Sequence, residues 1–314
     1  MTCGIRESLV PWIADFLTNR RQAVRYQGVT STFRPLTCGV PQGTKLGPLC
    51  FLILINDALM DTQQRWKYVD DSTIASSLNT DTPDYSPTQQ SLDNLNTWAS
   101  HNYVTINSEK TVLLHFDLSK TPTPQPSLTL ADHNLQLVNK SKLLGLTLNS
   151  SLTWDDHTQS IVQSASFRLY MLRRLRSLGM QPTELTHIYK TFILPKLTYA
   201  SPVYSSSLTA TQLLRLERVQ KRAMRIIHNT NYTNYEQALQ NVHLPKLADQ
   251  YNTSLKRFGL KLLKDNRHRH FLPPPAPPPP NPTRHTNKLA PIKARTERYR
   301  KSSIPFIVKL INGY

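Results

Sequence analysis

The 314-residue chain reads as an α+β protein, on three observations. Before residue 150, short extended runs sit between turn formers, as at Val24 to Val29, Trp66 to Ala75 and Val112 to Phe116. After Asp156, apolar residues recur at helical spacing with few breaks. Charge divides at the same place. Residues 1–160 carry 12 Lys+Arg against 14 Asp+Glu, residues 161–314 carry 26 against 6, and the two halves, −2 and +20, make the net +18.

Each element has a local cause. Ile5, Leu9, Trp12, Ile13 and Phe16 predict an amphipathic helix over residues 5–20, ended at Asn19-Arg20-Arg21. Val24, Tyr26 and Val29 predict a strand. Residues 38–44, Cys-Gly-Val-Pro-Gln-Gly-Thr, predict a loop. Pro48 suits the first turn of a helix, where its missing N–H is not needed. The run from Leu49 to Ile55 is apolar almost all round, so that helix, to about Met60, is expected to be buried. Trp66 to Ala75 predicts a β-hairpin with Asp70 and Asp71 at its tip, and residues 79–90 a loop. Leu92, Leu95, Trp98 and Ala99 mark one face of a helix. Short strands are expected at 104–107 and 112–116 around Lys110, a break at 121–126, and a strand at 143–148.

The cationic half should be helical. One helix is expected over 157–178, stopped by Gly179 and Pro182, and a second over 183–204, broken near Pro195. The third, 210–229, has two faces. At 100° per residue Leu213, Leu216, Val219, Ala223, Ile226 and Ile227 fall on one arc, and Arg215, Arg218, Lys221, Arg222 and Arg225 on the opposite one. That cationic arc holds no acid, since Glu217 lies to one side, which favours phosphate contacts over a merely solvated face. Pro273 to Pro282 predicts a stiff extended spacer unable to join a core, with a proline-reading partner as its other use. The tail from Arg284 to Lys301 is strongly cationic, with Glu297 its single acid. Three regions follow: 1–150, 151–270 and 271–314.

At 39% hydrophobic, the composition supports a core. The most apolar stretch, Leu46 to Ile55, is too short to span a bilayer, and no membrane partner is expected. Cys3, Cys38 and Cys50 lack paired spacing and read as free thiols in a reducing compartment, hence an intracellular protein of nucleus or cytoplasm. The charge asymmetry points to a polyanion on the C-terminal half, nucleic acid being the commonest.

An adjacent acid pair alone is more often a surface turn. Between apolar flanks, however, Tyr68-Val69-Asp70-Asp71 suits a hard divalent cation held by one or two carboxylates and substrate phosphates. Its surroundings carry a family likeness. Gly39-Val40-Pro41-Gln42-Gly43-Thr44-Lys45-Leu46-Gly47-Pro48, Ile55-Asn56-Asp57 and Tyr68-Val69-Asp70-Asp71 resemble two core blocks of reverse transcriptases. Asn107-Ser108-Glu109-Lys110-Thr111 resembles the family's next block. Leu143-Leu144-Gly145-Leu146, with Trp154 and His157, resembles the grip block. Ile193 to Ala200, Leu216 to Ala223, and Arg295 to Tyr299 with Ser303-Ile304-Pro305 resemble the thumb and C-terminus of non-LTR (LINE-type) retrotransposon polymerases.

The resemblance implies a partial palm, a β-hairpin with helices, over 1–150, then a mainly helical thumb over 151–270 and a Pro-rich spacer with an extended basic tail over 271–314. It implies two-metal nucleotidyl transfer with Mg²⁺ or Mn²⁺ on Asp70 and Asp71. Gln42, Gly43 and Tyr68 would bind substrate, and Lys110 is a candidate general acid, an ordinary strand-end lysine being the other reading. Arg215, Arg218, Lys221, Arg222 and Arg225 would grip the duplex. The implied partners are an RNA template, the primer–template duplex and dNTPs. Family palms carry a further aspartate in an earlier block. Asp15, inside an amphipathic helix, is not a match for it, so a C-terminal portion with little polymerase activity alone is expected. The palm hairpin should then have an open edge. A non-catalytic nucleic-acid-binding protein is the alternative function, and a scaffold using the proline run a weaker one.

Overall fold

The computed structural model describes residues 4–119, 122–277 and 288–313. Contacts divide the chain into two units, Met1–Leu137 and Val138–Tyr314.

In unit 1, α1 (Val10–Leu17) precedes β1 (Arg21–Gln22), β2 (Arg25–Tyr26), β3 (Val29–Thr30) and β4 (Arg34–Pro35), which form two nested antiparallel pairs, β1 with β4 and β2 with β3. α2 (Leu46–Ile55) leads to the hairpin of β5 (Arg65–Tyr68) and β6 (Asp71–Ile74), then to α3 (Ser86–His101). Beyond it come β7 (Val112–Leu113), β8 (Thr129–Leu130), β9 (His133–Asn134) and β10 (Gln136–Leu137), with β8 antiparallel to β9 and β7 parallel to β10. Among the described residues every sheet is a single pair. The buried cluster is small: Leu92, Leu128 and Leu130, with Ile74, Tyr85, Ile106, Leu113 and Leu135 against them.

Unit 2 begins with a hairpin, β11 (Lys140–Leu143) and β12 (Leu146–Asn149). α4 (Asp155–Ser177) and α5 (Pro182–Ile188) follow. A π-helical turn at Tyr189–Ile193 then precedes α6 (Leu194–Thr198) and α7 (Ser201–Tyr204). α8 (Ala210–His228), α9 (Tyr235–Asn241) and α10 (Leu247–Lys264) complete the bundle, and α11 (Glu297–Lys301) and α12 (Ser303–Asn312) close the chain. The main core joins Leu169 and Leu172 of α4, Tyr189 and Ile193, and Leu216, Val219, Ala223 and Ile227 of α8. A second cluster joins Leu255 and Leu262 of α10 to Ile307 and Val308 of α12.

The mixed α+β class is borne out, and several local expectations are corrected. The helix expected over 5–20 narrows to Val10–Leu17 after a 3₁₀ turn and buries none of its residues. α2 buries only Gly47, and Leu49 and Leu52 are about half exposed, because no layer of described residues covers them. Residues 104–107 form no strand, and the strand expected at 143–148 is a hairpin turning at Leu144-Gly145, both with positive φ. The first compact unit ends at Leu137, and the hairpin that follows packs on α4 within the second.

The proline run and the tail differ most. Prolines lack an N–H, yet their carbonyls still accept. The Ala290 N–H donates to Pro274 O at 2.9 Å and the Ala276 N–H to Lys288 O at 2.8 Å, so the start of the run pairs beside the buried Leu289. Pro278 to Pro282 and the first tail residues, through 287, lie outside the described residues, as does Cys3. From Glu297 onward the tail is helical rather than extended: after α11, α12 lays Pro305, Ile307 and Val308 against α10. Gly259 permits this approach, since a Cβ there would lie 2.4 Å from Ile307 Cγ2. Asn312 fastens the end, accepting from Leu289 N and donating to Leu289 O at 2.9 and 3.0 Å.

Candidate active site and nucleic-acid interface

Tyr68 and Asp71 face each other across β5 and β6, so Val69 and Asp70 alone make the turn. Val69 takes φ +57. A β-branched residue there is strained, and such strain concentrates at functional sites. The tight turn presents Tyr68, Asp70 and Asp71 together at an exposed tip. No group of three or more His, Cys, Asp or Glu side chains among the described residues could enclose a metal. Two carboxylates still fit Mg²⁺ or Mn²⁺, which prefer oxygen and complete their shell with water and phosphate.

The hairpin is anchored by a residue that sequence reasoning missed. Lys67 Nζ donates to the carbonyls of Ile55, Asn56 and Ala58 at 2.9, 2.7 and 2.9 Å, placing its charge at the C-terminal end of α2 and the turn after it. Burial, with help from nearby Arg65, lowers the Lys67 pKa, while Asp57 opposes the change. Asp57 Oδ1 also accepts from Trp98 Nε1 at 2.9 Å, joining this corner to α3. A lysine alternating with Trp66 and Tyr68 on a short strand gave no signal of this role.

The loop before α2 is built by its turn residues. Thr44 Oγ1 donates to Pro41 O at 2.8 Å and accepts from Gly47 N at 3.1 Å. Gly47 sits under the loop, where a Cβ would be 2.8 Å from Pro41 O. Arg20 Nη2 donates to Cys38 O and Gly39 O at 3.2 and 2.5 Å, holding the start of the loop to the end of α1. Gln42 is exposed and lines a cleft of about 690 Å³ with Phe16, Arg20 and Arg21. Gly43 takes φ +78 with open space where a Cβ would be. Lys110 is also exposed, on a turn closed by its own N–H to Asn107 Oδ1 at 3.0 Å. No hydrogen bond or ion pair among the described residues joins it to Asp70 or Asp71.

On α8, Arg215, Arg218, Lys221, Arg222 and Arg225 are all exposed, opposite the buried Leu216, Val219, Ala223 and Ile227. None of the five forms an ion pair among the described residues. Lys221 and Arg225 lean over the rings of Tyr235 and Tyr232, at 5.9 and 5.7 Å. Glu217, between the two arcs, and the buried Gln220, within the apolar one, have another task. Glu217 accepts from Tyr235 Oη and, at 3.0 Å, from Leu247 N. Gln220 accepts from Tyr189 Oη at 2.9 Å and donates to Tyr235 Oη and Pro245 O at 3.1 and 3.0 Å. The polar residues of Leu216 to Ala223 thus sort into an inner network tying α8 to α9, α10 and the π-turn, and an outer cationic face. Sequence reasoning also missed a second such face, on α10, which the same 100° spacing exposes.

Residues 2–151 match the family model for reverse transcriptase (RNA-dependent DNA polymerase), with the acid-pair turn inside the match. Over that nearly half of the chain the likeness is to reverse transcriptases, and across most of the chain it is to the LINE-type, non-LTR elements. It is 25% identical over 266 residues to the RNA-directed DNA polymerase from mobile element jockey of Drosophila melanogaster, covering 80% of this chain and 28% of that protein. Against the probable RNA-directed DNA polymerase from transposon X-element of the same fly it is 25% identical over 289 residues, 89% of this chain and 31% of the relative. A putative 115 kDa protein in type-1 retrotransposable element R1DM is 26% identical over 212 residues, 65% of this chain and 20% of that protein. The chain therefore spans less than a third of the length of these relatives. No solved structure matches it.

Proposed function

We propose that this chain carries the metal-binding turn and the duplex-gripping helices of an RNA-directed DNA polymerase, unit 1 acting as part of the palm and α4 to α10 as the thumb. The observation that carries the reading is the Val69-Asp70 turn, which holds two carboxylates at an exposed tip within a segment matching the reverse transcriptase family. Asp70 would ligate Mg²⁺ or Mn²⁺ directly, with Asp71 as a second or supporting ligand. Such ions stabilise the charge that develops on the phosphates during nucleotidyl transfer. Around them, Gln42 offers an amide donor and acceptor toward the incoming dNTP and the RNA template, and Gly43 allows close backbone approach. Tyr68 would pack near the primer end, and Lys110 would be the candidate general acid for the leaving pyrophosphate. The cationic arc of α8 holds the primer–template duplex through its phosphates.

Two-metal transfer needs more carboxylates than this pair, so residues 1–314 by themselves should bind nucleic acid but extend primers poorly. The test is primer extension by the purified chain with Mg²⁺ or Mn²⁺ on an RNA template. The expected result is no synthesis above an Asp70→Ala control; template-dependent products that disappear in that control would overturn the inactivity. Mn²⁺ binding read by electron paramagnetic resonance should weaken in Asp70→Asn. On an RNA–DNA hybrid, changing Arg215, Arg218, Arg222 and Arg225 to Gln should reduce the slope of log K against log salt by about 3 to 4, at about 0.9 per duplex phosphate contact. The second reading, a non-catalytic nucleic-acid-binding protein, is favoured by the two-carboxylate site and predicts the same binding with no Mn²⁺ signal at Asp70.

A further inference from the structure

α10 repeats the two-faced design of α8 in a segment whose chemistry is otherwise unassigned. Leu247, Tyr251, Leu255, Gly259 and Leu262 are buried, and Lys256, Arg257, Lys261 and Lys264 lie on the opposite arc, all exposed. None of the four makes a side-chain hydrogen bond or ion pair among the described residues. A face of lysines and arginines is often neutralised by neighbouring carboxylates, but here they are committed elsewhere. Asp155 and Asp156 accept from Gln212 and from Asn149 and Lys140. Glu184 closes the capping box at the start of α5, and Glu217 is held by Tyr235 and Leu247 N. Glu236 pairs with Lys246, Asp265 with Arg267 and His268, and Glu297 with Arg300 and Lys301. Asp249 remains, about two turns before Lys256, too far along the helix to serve the arc.

We propose that the outer face of α10 is a second binding surface for the phosphate backbone of nucleic acid, distinct from the face of α8. It rests on the reading of unit 2 as a nucleic-acid-binding module. Lys256 to Lys264 spans eight residues, about 12 Å of helix, which matches three or four successive phosphates of one strand. The face is held on a rigid support. α12 seals the back of α10 where Gly259 admits Ile307, so the cations need no ordering of the backbone before they meet the polyanion. Positive charge presented without internal partners gains most from counterion release, because no ion pair must first be broken.

The test uses the full chain and three variants, each with four cations changed to Gln: Lys256, Arg257, Lys261 and Lys264 on α10; Arg215, Arg218, Arg222 and Arg225 on α8; and Lys246, Arg267, Arg300 and Lys301, which face carboxylates, as a charge-matched control. Circular dichroism and thermal melts check folding. The salt dependence of binding is then measured on a mixed-sequence RNA–DNA hybrid and on single-stranded RNA. The α10 variant should lower the slope by about 3 on at least one probe, and the control by clearly less; the probe affected says whether duplex or single strand occupies the face. An unchanged slope in the α10 variant, with a lowered one in the α8 variant, overturns this inference and leaves the reading of unit 2 intact. Unchanged slopes in both overturn both. A control that loses as much as the α10 variant shows a net-charge effect and also overturns the second surface.

Discussion

The two units put chemistry and packing in opposite proportions. Unit 1 carries the acid-pair turn but buries only Leu92, Leu128 and Leu130 in its cluster, while its most apolar helix, α2, leaves Leu49 and Leu52 about half exposed. Unit 2 holds no candidate catalytic group, yet its main cluster gathers buried residues from β12, α4, α5, the π-turn and α6 to α10. Two-stranded sheets explain the contrast. A lone hairpin is marginal in water and has no second layer to bury its face, whereas helices packed on several sides share one core. The teaching is that an apolar element is not a core until another element covers it, and α2 has the composition of a core helix without the cover.

The contrast can be broken by mutation. Leu216→Ala removes a fully buried side chain of α8 and should cost about 3 kcal/mol in chemical denaturation, while Leu52→Ala on half-exposed α2 should cost less than about 1 kcal/mol. Equal costs would mean that α2 is covered in solution. Next in size, Gln220→Ala leaves the Tyr189 hydroxyl without its acceptor and removes one donor each from Tyr235 Oη, which keeps Glu217, and Pro245 O, which keeps Gln250, with an expected loss of about 2 kcal/mol, read from the same denaturation curves. A cost near zero would mark the network as dispensable to the bundle.

The smallest effect concerns pH. His157 is 4% exposed, stacked edge-on against Tyr204 at 4.9 Å, with Nδ1 accepting from Thr147 N at 3.4 Å and a buried, partnerless Nε2. Burial lowers its pKa. Between that lowered value and the ordinary histidine value of about 6.5, the unfolded chain binds more protons than the folded one. Stability from this group is therefore present above about pH 6.5 and is lost as pH falls toward the lowered folded value. Melting temperatures of the wild type should fall more steeply than those of His157→Phe as pH drops from 7.5 to 5. Parallel curves would remove His157 as the cause.

Much of the site was legible because its signals are local. The hairpin follows from alternation and a two-residue turn at Val69-Asp70, and α8 follows from residues three and four apart. Lys67 was not legible, because its partners are carbonyls at and just after the end of a helix nine to twelve residues back, set by the turn between them. The tail misread for a related reason. Its cations between Arg284 and Lys301 dominate the composition, but the Ile-Pro-Phe-Ile-Val run after Ser303 decides where it packs.

The sequence by itself determined the order of blocks, the paired carboxylates at a tight turn, and the separation of apolar from cationic arcs on α8, since spacing along one chain suffices for these. Tertiary structure alone decided that Glu217 and Gln220 are internal braces beside an outer cationic face, that Gly259 is the seat of α12, and that α2 stays uncovered. Each of those depends on which distant segment arrives opposite a given face. A one-dimensional pattern announces that a face exists, and only the folded chain supplies its partner.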